Sequence, residues 1–470
     1  MKWVLGGRMQ EKDDGGKLTQ YLAVLSATVV LFTSGLYQGW PAPSLTKIFS
    51  DEYPFEVNEE EGSYITIIGP MGHVIGGFIW SYLLDKIGRK KALLTISIPQ
   101  ILSFGLIFFS SYGKYLLYIA RVLGGMGEGA SFTVVPGYIA EVAEPEVRGI
   151  LGSFICSSIS IGLLVINLVG SFMDIHATAL VCLAFPIFFL LIFSIMPETP
   201  YFHLMNKDVE KARESLQILR RQHNVEKELK QLTADVERQM SERGTFKDLF
   251  FIDSNRRALI MVVCMRFFGL FSGAVAFASY NQILIAQSTN IDPTLGSTII
   301  LIILIATVFL SCFYIDRIRR KTLFTVSSAF VSLSLFSQAI FLTIRDYTSV
   351  DVSSCSWLPL LIMIIFNFAF MAGIGVGANI FIGEIYSTSI KSKAMFIGSV
   401  VFSTCVISTT KFYQYTADNL GLAVPFYCFG IITFFGTLFY HFVMVETQGK
   451  SLETIQRELK GMKDTPKSTA

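Results

Sequence analysis

The chain has 470 residues, of which 52% are hydrophobic and 16% charged, with 41 Phe, a formal net charge of +2 and a mean hydropathy of +0.54. Soluble chains carry about 25% charged residues, so this balance excludes a nucleic-acid binder, a secreted disulfide scaffold and a soluble enzyme. A helix needs about 20 apolar residues to cross a bilayer, and the apolar runs supply twelve such segments.

In chain order the predicted spans are 18–39, 63–84, 92–111, 115–139, 150–173 and 177–196, then 258–285, 294–314, 323–344, 358–385, 394–415 and 422–444. Residues 1–17 have no small-residue cleavage site, and the first span is long enough to cross, so it reads as an uncleaved anchor. The longest hydrophilic stretch, 197–257, divides the spans six and six. Within it Leu204, Val209, Ala212, Leu216 and Leu219, then Leu229, Leu232 and Val236, recur at helical spacing among alternating charges. This pattern predicts amphipathic helices lying on the membrane face. The expected organisation is a six-helix half over 1–196, a cytoplasmic helical linker over 197–257, a second six-helix half over 258–445 and a cytoplasmic tail over 446–470.

Orientation follows from the basic residues, which collect on the cytoplasmic side of a membrane. Of the 38 Lys and Arg, 32 lie in the termini and the loops on their side; three (Lys47, Lys114 and Arg345) lie in the opposite loops, and three (Arg121, Arg266 and Lys411) fall within spans. Both termini are therefore expected to be cytoplasmic. The seven Cys contain no CxxC and only Cys355 falls in a loop, so they read as small packing residues.

The chain also repeats itself. Asp85-Lys-Ile-Gly-Arg89-Lys90 after the second span returns 231 residues later as Asp316-Arg317-Ile-Arg-Arg320-Lys after the eighth. Glu141 with Arg148 closes the fourth span, and Glu384 with Lys391 closes the tenth, 243 residues on. Glu198-Thr ends the sixth span and Glu446-Thr the twelfth, 248 residues on. Three landmarks repeated in one order imply two parallel six-span halves, the mark of a duplicated transporter. These charges sit at the inner ends of spans, where opposite signs can pair across the two halves when that face closes and separate when it opens.

The ordered set Asp85-Lys-Ile-Gly-Arg-Lys, Arg121 with Gly125 and Gly129, Glu141…Arg148-Gly149, Pro197-Glu-Thr-Pro200 and Glu446-Thr-Gln-Gly449-Lys resembles the sugar porters of the major facilitator superfamily. Gly39-Trp40-x-x-Pro43 is similar to the facilitated trehalose and hexose transporters of insects in particular. The resemblance implies an all-α membrane protein of twelve transmembrane helices in two pseudo-symmetric six-helix halves, the major facilitator fold. It also implies a cytoplasmic gate built from Asp85, Arg89, Lys90, Glu141, Arg148, Glu198, Asp316, Arg317, Arg320, Glu384 and Lys391. Arg319 stands where the family has Gly, a departure expected to loosen the second turn.

Sugar sites need amides and carboxyls for the hydroxyls and aromatic faces for the ring. Aligned on Ser272-Gly273, the family's seventh-span Gln-Gln pair falls on Gly269 and Leu270, and its Asn on Val275. The fifth-span Gln falls on Cys156, the eighth-span Asn near Leu304 and the tenth-span Trp on Asn379. The ring-facing Phe370 and the gate-like Tyr280 are kept. The substrate-binding candidates are therefore Asn379, Gln282, Ser279, Tyr280, Phe370, Cys156 and Gln38, although serines in spans more often bond their own backbone.

Ionisable residues inside spans are functional suspects by default: His73 near the middle of the second span, and Arg121 and Glu128 on one face of the fourth. The first span has no Asp or Glu, so the proton coupling that some sugar porters place there is not expected. No phosphate-binding GxxxxGK[ST] and no metal-spaced His/Cys/Asp cluster occurs, so neither enzyme chemistry, metal nor cofactor is expected. The reading is a facilitator in the plasma membrane moving a small neutral solute, a hexose or trehalose by resemblance, through alternating access. Two alternatives stand beside it: a transporter of a less polar solute, suggested by the aliphatic substitutions, and a non-transporting sensor, which the short 26-residue stretch after Met444 disfavours.

Overall fold

The computed structural model describes residues 16–50, 53–241, 245–315, 317–386, 388–450 and 452–459. Among these there are helices and connecting turns but no strands. In a bilayer every backbone polar group must be satisfied internally, which a helix does within one segment. The chain divides into two compact units, Met1–Glu242 and Arg243–Ala470.

The first unit holds spans one to six as helices Leu18–Gly39, Glu59–Ile87, Arg89–Phe108, Tyr115–Val142, Pro145–Phe172 and Ile175–Phe193. The first span keeps its sequence-read limits, then turns through Trp40 into the short helix Pro41–Ile48. The tightest crossing joins spans two and four. A Cβ at Gly125 would meet the carbonyl oxygen of Gly69, and one at Gly129 that of His73. Small residues here let two backbones touch, the usual way helices gain contact where lipid offers no hydrophobic drive.

Helices Pro200–Met205, Val209–Arg220 and Glu226–Ser241 belong to this unit as well. Leu204, Ala212, Leu216, Leu229 and Val236 join Val225 in one apolar cluster, and Leu219 is buried in the main core of the unit. Val209, expected on the same apolar stripe, is exposed, because it starts its helix beyond the reach of that cluster. Arg220 ties the linker down by donating to the Val142 carbonyl and pairing with Glu144 and Glu228 at 3.1 and 2.7 Å.

The second unit holds spans eight, nine, eleven and twelve as helices Pro293–Tyr314, Arg320–Tyr347, Thr388–Leu420 and Ala423–Phe442. Span ten is helical over Leu358–Phe370 and Val376–Ile385, with a π-helical turn at Met371–Gly375 between them. Span seven, read from sequence as one run over 258–285, is broken into Asp253–Leu270, Ala274–Ser279 and Asn281–Ser288. Gly273 makes the first break at φ +81, a left-handed conformation that costs Gly nothing, and Tyr280 makes the second.

Among the described residues, ten helical runs are long and apolar enough to cross a membrane. Spans four and seven complete the twelve. The fourth is diluted by glycines and by Arg121, Glu128 and Glu141, and the seventh is cut into pieces.

Candidate functional site

The ends of spans two to four that flank Gly88 carry a closed polar constellation. Gly88, at φ +92, turns the chain between spans two and three and leaves the first backbone N–H groups of span three unpaired within the helix. Glu198 fills that place, and both its carboxylate oxygens accept from the Lys90 N–H at 3.0 Å. An anion at a helix N-terminus also meets the positive end of the helix dipole. The Arg89 guanidinium, 6% exposed, donates through Nε and Nη2 to Glu141 Oε1, each at 2.9 Å. Asp85 lies 3.7 Å from its Nη1, and the rings of Tyr201 and Phe202 cover its face. The other oxygen of Glu141 accepts from the Thr199 hydroxyl at 2.6 Å.

The second unit builds the same object from the repeated residues. Arg320 Nη2 donates to Glu384 Oε1 at 2.9 Å, and Thr447 donates to Glu384 Oε2 at 2.6 Å. Glu446 accepts from the backbone N–H of Arg320 at 2.9 Å and of Lys321 at 3.2 Å. Arg319 makes this turn at φ −53 without any left-handed residue, and the N-terminal carboxylate contacts are kept. An extended residue thus reaches the same kind of helix start that Gly88 makes in the first unit.

Among the described residues these ion pairs form inside each unit: Arg89 with Glu141, and Arg320 with Glu384. Arg317 is exposed. Asp316 lies outside the described residues, as do the side chains of Arg148 and Lys391. Thr199 and Thr447 escaped the sequence reading. The signal was present, since each follows a repeated Glu, at 198 and 446. Lys17 and Glu146 meet where span one begins and span five begins. Their mutual hydrogen bond holds the Lys17 amine above its ordinary range and the Glu146 carboxyl below it.

Within the first unit's spans, Arg121 is a clamp. It donates to the carbonyls of Ile65 at 2.9 Å and Tyr37 at 2.8 Å, with the Tyr37 ring 3.9 Å from its guanidinium carbon. The Tyr37 hydroxyl in turn donates to the Arg121 carbonyl at 2.5 Å. Glu128, two turns along the same helix, has other partners: Gln38 Nε2 at 3.0 Å and His73 Nδ1 at 3.9 Å.

The substrate candidates divide between the units. Gln38 is committed to Glu128. Cys156 is half-buried, is in no disulfide, and its carbonyl takes the Ser160 hydroxyl at 2.9 Å. Ser279, Tyr280 and Gln282 lie together at the second break of span seven. Ser279 Oγ bonds the Val275 carbonyl at 3.1 Å, and the Tyr280 ring lies 5.5 Å from Tyr413. Phe370 stacks on Phe366 at 6.3 Å where the π turn begins. The side chain of Asn379 lies outside the described residues. Of the positions aligned with family amides, Leu270 and Val275 sit in an apolar cluster with Cys405, Val406, Phe271, Val401 and Phe402. The Arg266 guanidinium stands over Phe402 at 5.5 Å.

Residues 24–459 match the model of a protein family described as "Sugar (and other) transporter". Over 449 residues, 94% of this chain, the sequence is 30% identical to a facilitated trehalose transporter of Drosophila willistoni, of which it covers 51%. Over the same share of the chain it is 31% identical to one of Aedes aegypti and 32% identical to trehalose transporter 1 of Drosophila melanogaster, covering 55% and 52% of them. The chain therefore spans about half the length of these curated relatives. In backbone it is similar to the xylose transporter XylE of E. coli in an inward open conformation, with TM-score 0.77 and 19% identity over 93% of this chain and 99% of that one. The similarity extends to XylE bound to 6-bromo-6-deoxy-D-glucose, at TM-score 0.73. At these identities the likeness carries the twelve-helix, two-half fold.

Proposed function

The chain belongs to the sugar (and other) transporter family, and from that premise we propose that it moves a small neutral sugar across a membrane by facilitated diffusion with alternating access. The observation that carries this reading is the twofold constellation, Arg89–Glu141–Thr199 with Glu198 and Arg320–Glu384–Thr447 with Glu446, set at matching places in two six-span units. A duplicated bundle of this kind is the architecture of secondary transporters. The trehalose transporters among its relatives favour trehalose over a hexose as the solute.

The pocket substitutions set a direction for specificity. Each lost hydrogen bond to a sugar hydroxyl costs on the order of 0.5–1.5 kcal/mol, and each 1.4 kcal/mol or so is tenfold in affinity. Loss at Cys156, Gly269, Leu270, Val275 and Leu304 should weaken glucose binding by about two to four orders of magnitude relative to a porter that keeps these amides. Uptake of labelled trehalose and glucose into vesicles holding the pure protein tests both statements. Saturable trehalose uptake with little glucose uptake is expected; no sugar uptake at all overturns the function, and micromolar glucose binding overturns the specificity. Leu270→Gln with Val275→Asn should raise glucose affinity. Gly269→Gln should not, because a Cβ there already meets Ile374 at 3.0 Å.

We propose a plasma-membrane location, with both termini cytoplasmic on the 32-to-3 distribution of Lys and Arg. With Cys355 replaced, a cysteine introduced by Glu56→Cys should react with an impermeant thiol reagent from outside, and one introduced by Lys227→Cys only from within. The reverse pattern overturns the orientation.

The charged inner ends are proposed to control opening of the cytoplasmic face. Glu384→Gln weakens the Arg320 pair, so that face should close less well. A reporter introduced by Gln282→Cys should then lose reactivity toward a reagent added outside. Unchanged reactivity would remove the gate role.

A further inference from the structure

Gln338 lies inside span nine, the helix Arg320–Tyr347, about 27 Å along the axis from Arg320 and about 14 Å from Tyr347 at 1.5 Å per residue. It is 1% exposed, and neither amide atom, Nε2 nor Oε1, has a hydrogen-bond partner in the protein. Among the described residues no other buried side-chain amide is left open at both atoms. Gln338 lines a cavity of about 10 Å³ between spans seven, nine, ten and twelve. Ser334, one turn away on span nine, lines it too, with Phe366 and Asn367 of span ten, Phe426 of span twelve and Phe277 of the short helix Ala274–Ser279.

An amide buried without partners carries the full cost of its lost hydration, whereas ordering one water beside it costs less. A buried water needs roughly 10–15 Å³ and two to four polar partners. The cavity meets both conditions. Gln338 supplies a donor and an acceptor. Asn367 commits Nδ2 to the Met363 carbonyl at 2.9 Å, which leaves its side-chain carbonyl to accept. Ser334 gives its hydroxyl proton to the Phe330 carbonyl at 2.8 Å, and its oxygen can still accept. One water can thus accept from Gln338 Nε2 and donate to two of these oxygens. A cation does not fit, because no carboxylate lines the cavity and an unpaired buried charge costs far more than a buried dipole.

We propose that this cavity binds a single water molecule, held by Gln338 with Asn367 and Ser334, and that the water fixes the seat of the helix Ala274–Ser279. One wall of the cavity is the Phe277 ring. That ring stacks on Phe426 at 4.8 Å and meets Phe366 and Phe429 edge-on at 5.4 and 5.9 Å. Span seven is broken on either side of this helix, at Gly273 and at Tyr280. Its position therefore depends on how its side chains pack, because no unbroken helix carries it. Tyr280 follows Phe277 by three residues, about one helical turn, so a displaced ring carries Ser279, Tyr280 and Gln282 with it. Gln338 is in this sense a positioning residue for those three substrate candidates. That role rests on the function proposed above; the water site does not.

The test has two readouts. A cryo-electron microscopy map of the protein in lipid nanodiscs, at a resolution that shows ordered water, should hold a peak about 3 Å from the Gln338 amide. Gln338→Met keeps the length of the side chain and removes its hydrogen bonds, so the peak should vanish and the Phe277 ring should shift into the space. No peak in the unmodified protein overturns the water site, and a Phe277 ring unmoved in Gln338→Met overturns the seat. In vesicles, KM for trehalose should rise about threefold or more in Gln338→Met while the maximal rate stays within about twofold. Gln338→Asn keeps an amide and makes room for a second water, so its KM should stay near that of the unmodified protein. Each variant is first checked for folding by monodisperse elution. Equal KM in all three proteins overturns the positioning role. Absence of trehalose uptake in the unmodified protein would count against the transport reading, while the water peak and the ring position would still decide the site and the seat.

Discussion

Glu141→Ala should destabilise the N-terminal half by about 3–5 kcal/mol, the cost of stranding one member of a buried ion pair. Arg89 would keep its place under Tyr201 and Phe202, 6% exposed, with its main counter-charge gone and only the more exposed Asp85 at 3.7 Å. Thr199 would lose its acceptor as well. Glu384→Ala should cost less, because the Glu384 side chain is 29% exposed against 16% for Glu141, so water replaces more of what is lost. Replacing both members, Arg89→Met with Glu141→Leu, should recover most of the loss, since a buried pair exchanged for apolar groups of like volume is often neutral. Thermal unfolding in detergent measures all three. Equal midpoints for Glu141→Ala and the unmodified protein would mean the pair is not closed.

Gly125→Ala and Gly152→Ala should move stability in opposite directions. Both glycines are in helices, where Ala is favoured over Gly by about 0.5–1 kcal/mol. Gly152 has open space where its Cβ would go, so that gain should appear. At Gly125 the carbonyl of Gly69 occupies the position, and backbone cannot rotate aside as a side chain can. Spans two and four must then separate, at a cost of about 1–3 kcal/mol or more. Gly125→Leu should leave little folded protein. Separating these helices would also pull His73 from Glu128, which lie 3.9 Å apart across the same crossing. Thermal midpoints that shift alike in the two alanine variants would remove this account of the crossing.

Much of the architecture is carried by single-residue chemistry. The first span was read as 18–39 and is the helix Leu18–Gly39, because apolar length alone decides where a helix can cross lipid. The twofold repeat was visible in charges placed 231, 243 and 248 residues apart, since these residues recur wherever a span ends at the same face.

Partner choice was decided elsewhere. Within the units, Arg89 takes Glu141 and Arg320 takes Glu384. Charge sign fixes which groups attract, but several candidates share that sign, and only the rotation of each helix about its axis brings one within 3 Å. The break of span seven was hidden for a related reason. Its residues are mostly apolar, and only the packed structure shows the left-handed turn at Gly273, where the Phe429 and Phe277 rings fill the place of a Cβ. His73, Glu128 and Gln38 could each be placed near the middle of a span from the sequence. Bringing them together required the glycine contacts of spans two and four, which fix depth and rotation at once, and that information exists only in the packed helices.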